Sequence, residues 1–269
     1  MKFSILIAHY NNWDFFQECY QGILNQTYQD YEIVIVDDFS LDGSYEKLVD
    51  LSSKDCKIKL FRNSENKKVG FTKRRCINEA LGEVCLFVDP DDKISTTALV
   101  EIAEAYHSNK SIIATYSKIE LINENSQSNG EFKATKKIKN SRKLFFNINF
   151  EVAHLFSFNR EVYNKTTGIN ENLTSAVDQD LYLKLYEHGD FYFIRNIQYF
   201  YRLHNKGVSQ DKSKKSALNS NWHQVLLDTC KRREITSLYG KNINEIDNLP
   251  FYIFKKENSL VKRIIRKLL

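Results

Sequence analysis

Only two prolines and nine glycines punctuate these 269 residues. That scarcity excludes a linker-rich or low-complexity chain and favours regular elements joined by short connections. The five cysteines, Cys19, Cys56, Cys76, Cys85 and Cys230, are odd in number and scattered. No CxxC pair and no Cys/His spacing suited to zinc occurs, so neither a disulfide framework nor a zinc module is encoded. Cys76 and Cys85 lie in apolar surroundings and read as small core residues, a pattern that fits a reducing compartment. No apolar run approaches the roughly 20 residues that a membrane-spanning helix needs. The opening run, Ile5-Leu6-Ile7-Ala8, is too short for the core of a signal peptide, and His9-Tyr10-Asn11-Asn12 follows at once. The expectation is a protein of the cytoplasm or of a surface facing it. Gly-rich phosphate cradles are missing too: no GxGxxG follows the first apolar run and no GxxxxGK[ST] occurs, which removes the dinucleotide and P-loop readings. Excess charge is small, 39 Lys and Arg against 34 Asp and Glu for a net +5. That is too little to imply nucleic acid unless it is concentrated in one place.

What is present is ordinary globular material, 42% hydrophobic and 27% charged, in a chain long enough to bury a full core. Phe3 to Ala8 reads as a buried strand, and Trp13 to Leu24 changes to helical spacing with Phe16, Tyr20, Ile23 and Leu24 on one face. Ile33 to Val36 is a second buried strand, Gly43 to Leu51 a helix, Ile58 to Phe61 a third strand. Lys73 to Leu81 is again helical and ends at Gly82. Val84 to Val88 follows as a strand. This alternation predicts parallel βαβ units in a doubly wound sheet. Later come a helix over Thr97 to His107, a strand within Ser111 to Ile122, a polar loop from Asn123 to Asn140, and a helix over Val177 to His188. An aromatic strand spans Phe191 to Tyr201, and a charged hinge spans Asp211 to Ser216, with helix beyond. The expected layout is one domain over 1–210, divided into a nucleotide-binding half (1–95) and an acceptor half (96–210), with a helical extension over 211–269.

Three predicted strand ends carry polar clusters: Ala8-His9-Tyr10-Asn11, Asp37-Asp38-Phe39-Ser40 and Asp89-Pro90-Asp91-Asp92. In a parallel sheet these ends open on one edge, where such folds bind ligands. Carboxylates gathered there repel one another unless a cation joins them, and a divalent metal that leaves room for phosphate oxygens is one answer. A solvated acidic turn is the plainer one. Tyr10 is placed to stack on a base or to pack in the core. Lys67-Lys68 and Lys73-Arg74-Arg75 offer positive charge to a phosphate, or form a solvated helix face.

Four ordered runs carry a resemblance. They are Ser4 to Asn11, Leu24 to Ile33, Val36 to Ser44, and Ala80 to Asp92. At this spacing they resemble the inverting family 2 glycosyltransferases of bacterial surface-polysaccharide synthesis, whose fold is GT-A. The fold implied is α/β, a Rossmann-like doubly wound mixed sheet flanked by helices, with a helical C-terminal extension. By the same resemblance Asp38 reads the base or ribose of a nucleotide, with Ala8 and Tyr10 beside it. Asp89 and Asp91 are the family's DxD pair, on ribose and metal, and Asp92 is a neighbouring metal ligand. Lys73 stands where many members carry an arginine near the diphosphate, while Arg74-Arg75-Cys76 departs from the Asn-x-Gly that usually follows. Val177-Asp178-Gln179-Asp180-Leu181 stands in place of the motif that holds the catalytic base, with Asp178 at the base position and Val177 replacing an acidic residue. The plainer reading of Asp178 is a helix cap with Asp180 in the first turn. Tyr201-Arg202-Leu203-His204, followed by Ser209, resembles a signature whose histidine, His204, approaches the metal and diphosphate.

The implied reaction moves a hexose or N-acetylhexosamine from a UDP-sugar to a glycan or lipid-linked acceptor hydroxyl, with inversion and with Mn²⁺ or Mg²⁺ as cofactor. Two alternatives stand beside it: an inactive nucleotide-sugar-binding regulator, and a sugar nucleotidyltransferase, which would normally need a Gly-rich N-terminal loop. The remaining charge is concentrated in the last residues. Leu260, Val261, Ile264, Ile265, Leu268 and Leu269 share one helical face, and Lys262, Arg263, Arg266 and Lys267 fill the other. Such a helix suits an anionic membrane surface, or docks on its own domain or a partner subunit. No nucleic acid partner is expected.

Overall fold

A computed structural model describes residues 1–205 and 215–259. β1 (Phe3–His9) and β2 (Tyr31–Asp37) are parallel neighbours buried on both faces. Phe3, Ile5, Ile7, Ile33 and Ile35 enter one apolar cluster, and Leu6, Val34 and Val36 enter the other. A strand covered on both sides must be apolar at successive positions, which is why each reads as an unbroken run. α1 (Trp13–Leu24) lays Phe16, Cys19, Tyr20 and Ile23 on the first face, and α2 (Ser44–Lys54) adds Leu48 there. β3 (Ile58–Arg62) pairs with β2 as the outer parallel strand. α3 (Lys68–Glu79) covers the opposite face through Cys76 and Ile77, and β4 (Val84–Phe87) then returns beside β1.

After β4 the chain builds the second half. In order come β5 (Lys93–Ile94), α4 (Ala98–Ser108), β6 (Ile112–Ile122), β7 (Ser128–Glu131), β8 (Ser157–Asn159) and α5 (Arg160–Tyr163). α6 (Val177–Tyr186), β9 (Asp190–Arg202) and α7 (Lys215–Arg232) follow. A two-residue hairpin, β10 (Ser237–Leu238) with β11 (Lys241–Asn242), a 3₁₀ turn over Ile243–Glu245, and α8 (Leu249–Glu257) complete it. Among the described residues one sheet runs β3-β2-β1-β4-β8-β6-β9-β5, with β7 beside β6. β3, β2, β1 and β4 are parallel, β8 is antiparallel to β4 and β6, and β6 and β9 are parallel again. The winding reverses between β1 and β4, so a crevice opens at the C-terminal ends of these strands.

The expected fold class therefore holds, with differences of detail. Helix α3 starts at Lys68, five residues before the expected Lys73, and its first turn sets Gly70, a residue that weakens the helical pattern, against a neighbouring segment. The polar stretch Asn123 to Asn140 contains β7, an exposed strand held by backbone pairing to β6, which polar composition alone does not signal. The C-terminal elements join the main core: Val225, Leu226, Cys230, Leu249 and Ile253 belong to the apolar cluster that also holds Leu6, Val34 and α6. Ser209, most of the Asp211 to Ser216 hinge, and the amphipathic Leu260 to Leu269 lie outside the described residues.

One close approach fixes how α3 and α6 face each other across the crevice. The Gly70 N–H donates to the Leu173 carbonyl at 3.0 Å, and a Cβ on Gly70 would lie 2.6 Å from that oxygen and 2.7 Å from the Asn170 carbonyl. Both obstacles are backbone, so no side chain can swing away. Gly70 lets α3 touch the segment that leads into α6. Gly70→Ala is therefore expected to cost about 1–3 kcal/mol, the usual penalty of overpacking, and to lower Tm by several degrees in a thermal melt.

Candidate active site

At the end of β1, His9 is fully buried and its Nδ1 lies 3.2 Å from Asp37 Oδ1. Asp37 also accepts the Ser40 N–H at 2.9 Å and its hydroxyl at 2.5 Å. Burial pushes the Asp37 carboxyl up, but the bonds from His9 and Ser40 outweigh it and leave the group below its ordinary value. Asp38 is buried and accepts three bonds: Asn63 Nδ2 at 2.7 Å, Lys67 N–H at 2.8 Å and Lys68 N–H at 2.9 Å. It caps the entry to α3, and Arg75, bonded to Asn63 Oδ1 at 2.8 Å, orients that amide. Tyr10 is 45% exposed at the rim, free to present its ring, whereas Ala8 is half-buried and packs on the core. Arg74 holds the Ile169 carbonyl at 3.0 Å and pairs with Glu171, so Arg74 and Arg75 are both committed to the protein.

The Asp89 to Asp92 turn is fastened by Arg202. This side chain is 1% exposed, and its Nε donates to the Asp91 carbonyl at 2.8 Å. Its other nitrogens reach the Glu124 carbonyl at 2.9 Å, Ser126 Oγ at 3.1 Å and Glu18 Oε2 at 3.0 Å, and Phe15 lies against the guanidinium. Two residues on, His204 Nε2 stands 2.8 Å from Asp91 Oδ2. Asp92 turns the other way. It is buried, and its Oδ1 accepts the Arg202 backbone N–H at 2.7 Å.

Across the crevice, Lys73 joins two acids. Its Nζ lies 3.0 Å from Asp89 Oδ1 and 2.9 Å from Asp178 Oδ1, and the ammonium stands over the Phe87 ring. Asp178 sits in the first turn of α6, but no side-chain bond caps that helix. The plainer reading of Asp178 as a cap therefore fails. Burial raises the Asp178 carboxyl, and the charges of Lys73 and His154 overcome that and hold it below the ordinary range, an anion at neutral pH. Asp180, by contrast, is structural: it accepts the Asn170 N–H at 2.8 Å and pairs with Lys184 at 2.8 Å. His154 completes this side. Its Nε2 is 3.9 Å from Asp89 Oδ2, and its ring stacks on Tyr199, whose hydroxyl accepts the Asp89 N–H.

The structure thus brings together Lys73, Asp89 and Asp178 in one group and Asp91 with His204 in another. Asp92 joins neither. Among the described residues the one trio of metal-capable side chains whose ligand atoms all lie within 4.8 Å is Asp89, His154 and Asp178. Metal ligation by Asp92 stays an expectation: it stands outside that trio, its Oδ1 accepts the backbone N–H of Arg202, and its Oδ2 is buried without a hydrogen-bond partner. Asp91 and His204 do suit a divalent ion. Two ligands on one ion of this size stand about 3 Å apart, and a mixed imidazole–carboxylate pair suits Mn²⁺. His204 Nδ1 is buried without a hydrogen-bond partner. Sequence reasoning missed His154, which no spacing distinguishes from a core histidine, and Arg202, which lay inside a quoted signature but carried no stated role.

Burial, with repulsion from Asp91 and Asp89, pushes the Asp92 carboxyl well above its ordinary value, and the bond from Arg202 offsets this only in part. A raised carboxyl binds more protons folded than unfolded, so its contribution is full at low pH and lost as pH rises above the ordinary carboxylate range. Asp92→Asn removes that loss. Relative to the parent, the variant is expected to gain thermal stability as pH goes from 4 to 8 and to keep its Mn²⁺ affinity. A weakened affinity in a Mn²⁺ titration would make Asp92 a ligand.

Comparison with known proteins agrees with this fold. A chondroitin synthase of Pasteurella multocida is 28% identical over 266 residues, 94% of this chain and 26% of that one. The chain spans 25–37% of the length of three curated relatives, two chondroitin synthases and a hyaluronan synthase. Among solved structures, S. aureus TarS 1–349 in complex with UDP-GlcNAc covers 98% of this chain and 78% of its own, at TM-score 0.68 and 18% identity. The mannosyltransferase PcManGT of Pyrobaculum calidifontis, in complex with GDP-Man and Mn²⁺, covers 99% of this chain and 79% of its own, at TM-score 0.63 and 13% identity. These neighbours share the GT-A fold. The family model described as "Glycosyl transferase family 2" matches residues 4–167, more than half of the sequence, and the chain belongs to that family.

Proposed function

We propose that this chain transfers a hexose or N-acetylhexosamine from a UDP-sugar to a hydroxyl of a growing or lipid-linked glycan, with inversion at the anomeric carbon. The observation that supports the reading is that one ammonium, Lys73, holds both Asp178 and Asp89 of the Asp89 to Asp92 turn. Tyr10 would flank the base, and Asp38 would form the floor of the nucleotide pocket by fixing the start of α3. Asp89 would accept from ribose. Asp178 would take the proton of the acceptor hydroxyl as its oxygen attacks the anomeric carbon from the face opposite the diphosphate. Mn²⁺ or Mg²⁺ on Asp91 and His204 would neutralise charge on the departing diphosphate.

The family favours transfer over nucleotidyl chemistry, and the intact acids speak against an inactive regulator. UDP as the nucleotide and a cell-surface polysaccharide as product are supported by the named relatives, chondroitin synthase and TarS with UDP-GlcNAc. Among the described residues no helix is long and apolar enough to cross a membrane. A peripheral position on the cytoplasmic face, held by the basic Leu260 to Leu269, belongs to the same proposal.

UDP release from a panel of UDP-sugars in the presence of Mn²⁺ tests the activity, and no release with any donor would leave the regulator reading in its place. Asp178→Asn is expected to lower transfer about 10²–10⁴-fold, the contribution of a general base, with UDP-sugar affinity changed little in calorimetry. Full transfer by that variant would sink the base assignment.

A further inference from the structure

The family resemblance puts Lys73 beside the diphosphate, and its ammonium is already engaged by protein carboxylates. The side chain is 4% exposed and points between Asp89 Oδ1 at 3.0 Å and Asp178 Oδ1 at 2.9 Å, with the Phe87 ring on a third side. A lysine has three N–H donors. Two of them are taken by carboxylates, and little of the charge faces the crevice.

Those same carboxylates, with His154, form the trio whose ligand atoms lie within 4.8 Å of one another. Two carboxylates and an imidazole at that spacing are a donor set for a divalent ion. An ammonium already bound to both carboxylates disfavours one, because it neutralises their charge and repels a second cation placed beside it. We propose that Lys73 is a built-in counterion that takes the place of a second divalent cation and, as a positioning residue, keeps the base Asp178 in register with Asp89.

Its own placement is enforced. Gly70, one turn earlier on α3, allows the close approach to the Asn170 to Leu173 segment that leads into α6. The distance from the Lys73 backbone to Asp178 is therefore fixed by packing rather than by the ion pair alone. Without Lys73, two partly buried carboxylates would face each other uncompensated, and each would move, protonate or recruit a cation.

The positioning role rests on the glycosyl-transfer reading, whereas the ion count does not. Mn²⁺ binding followed by electron paramagnetic resonance of the free ion should give one site per chain in the parent and two in Lys73→Met. In steady-state kinetics Lys73→Met should lose about 10²-fold in kcat, the scale of a misplaced catalytic group, with the donor KM nearly unchanged. Lys73→Arg should restore part of kcat and return the count to one.

Two Mn²⁺ sites in the parent would overturn the counterion role, and that measurement needs no variant to fold. A Lys73→Met protein with one site, unchanged kcat and a raised donor KM would instead make Lys73 a diphosphate ligand. If the parent releases no UDP from any donor, the transfer reading fails while the ion count still decides the counterion.

Discussion

Four carboxylates, Asp89, Asp91, Asp92 and Asp178, crowd one sheet edge, and the site depends on how their charge is met. Two like charges 4 Å apart near a protein surface repel by about 4 kcal/mol at an effective dielectric constant of 20. A few such pairs would rival the roughly 5–15 kcal/mol by which a whole domain is stable. The chain answers each acid separately. Lys73 lies between Asp89 and Asp178, His204 faces Asp91, and Asp92 is withdrawn into the interior, where burial and the neighbouring acids raise its affinity for a proton. Arg202 then holds the turn itself through the Asp91 carbonyl and Glu18. Acidic function at this edge thus depends on basic residues from α3 and β9, far away in sequence.

Among the described residues, four of the ten non-glycine positions with positive φ stand at junctions around the same crevice. Asn11, Phe39, Lys68 and Ala176 adopt positive φ of 47°, 65°, 71° and 58°. They stand after β1, after β2, at the start of α3 and before α6. Asparagine tolerates this region, but Phe, Lys and Ala do so at a cost of about 1–2 kcal/mol each. At each junction the chain must turn sharply to put the next polar residue at the strand edge: Asp38 and Ser40 flank Phe39, and Asp178 follows Ala176 by two. Surrounding contacts hold these turns in place, as Asp38 does by accepting the Lys68 N–H.

Much of the first half was legible because parallel strands buried on both sides leave unbroken apolar runs and the helices between them change to a period near four. Ile33 to Val36 and Val84 to Phe87 could be read in this way, and so could the Asp89 to Asp92 turn. The motif singled out Asp178, and the fold brings that carboxylate to the ammonium that also holds Asp89. What escaped depends on partners distant in sequence. His154 is an isolated histidine until the fold sets its ring against Tyr199. Gly70 looks like a helix-weakening residue until the Leu173 carbonyl is seen where its Cβ would be. Asp92 shares a motif with Asp91, yet adjacent residues in a tight turn face opposite ways, and spacing cannot tell which one meets solvent. β7 carries no β-favouring side chains and exists through its pairing with β6.

The C-terminal elements bear on the same geometry. Arg232 and Arg233, at the end of α7, both grip Glu187 just after α6, at 2.8 and 2.9 Å. Arg233 also donates to the Phe145 carbonyl at 2.5 Å. Phe145 opens the segment in which Asn147 binds Gln179, the neighbour of Asp178, at 2.9 Å, and which runs on to His154. At its far side Asn258, beyond α8, donates to Asn149 at 2.8 Å. The wall of the crevice nearest Asp178 is therefore clamped from behind by α7 and α8. Residues 215–259 share the core of α6 and brace the Asp178 side of the crevice, so the extension forms part of the architecture that sets where Asp178 stands.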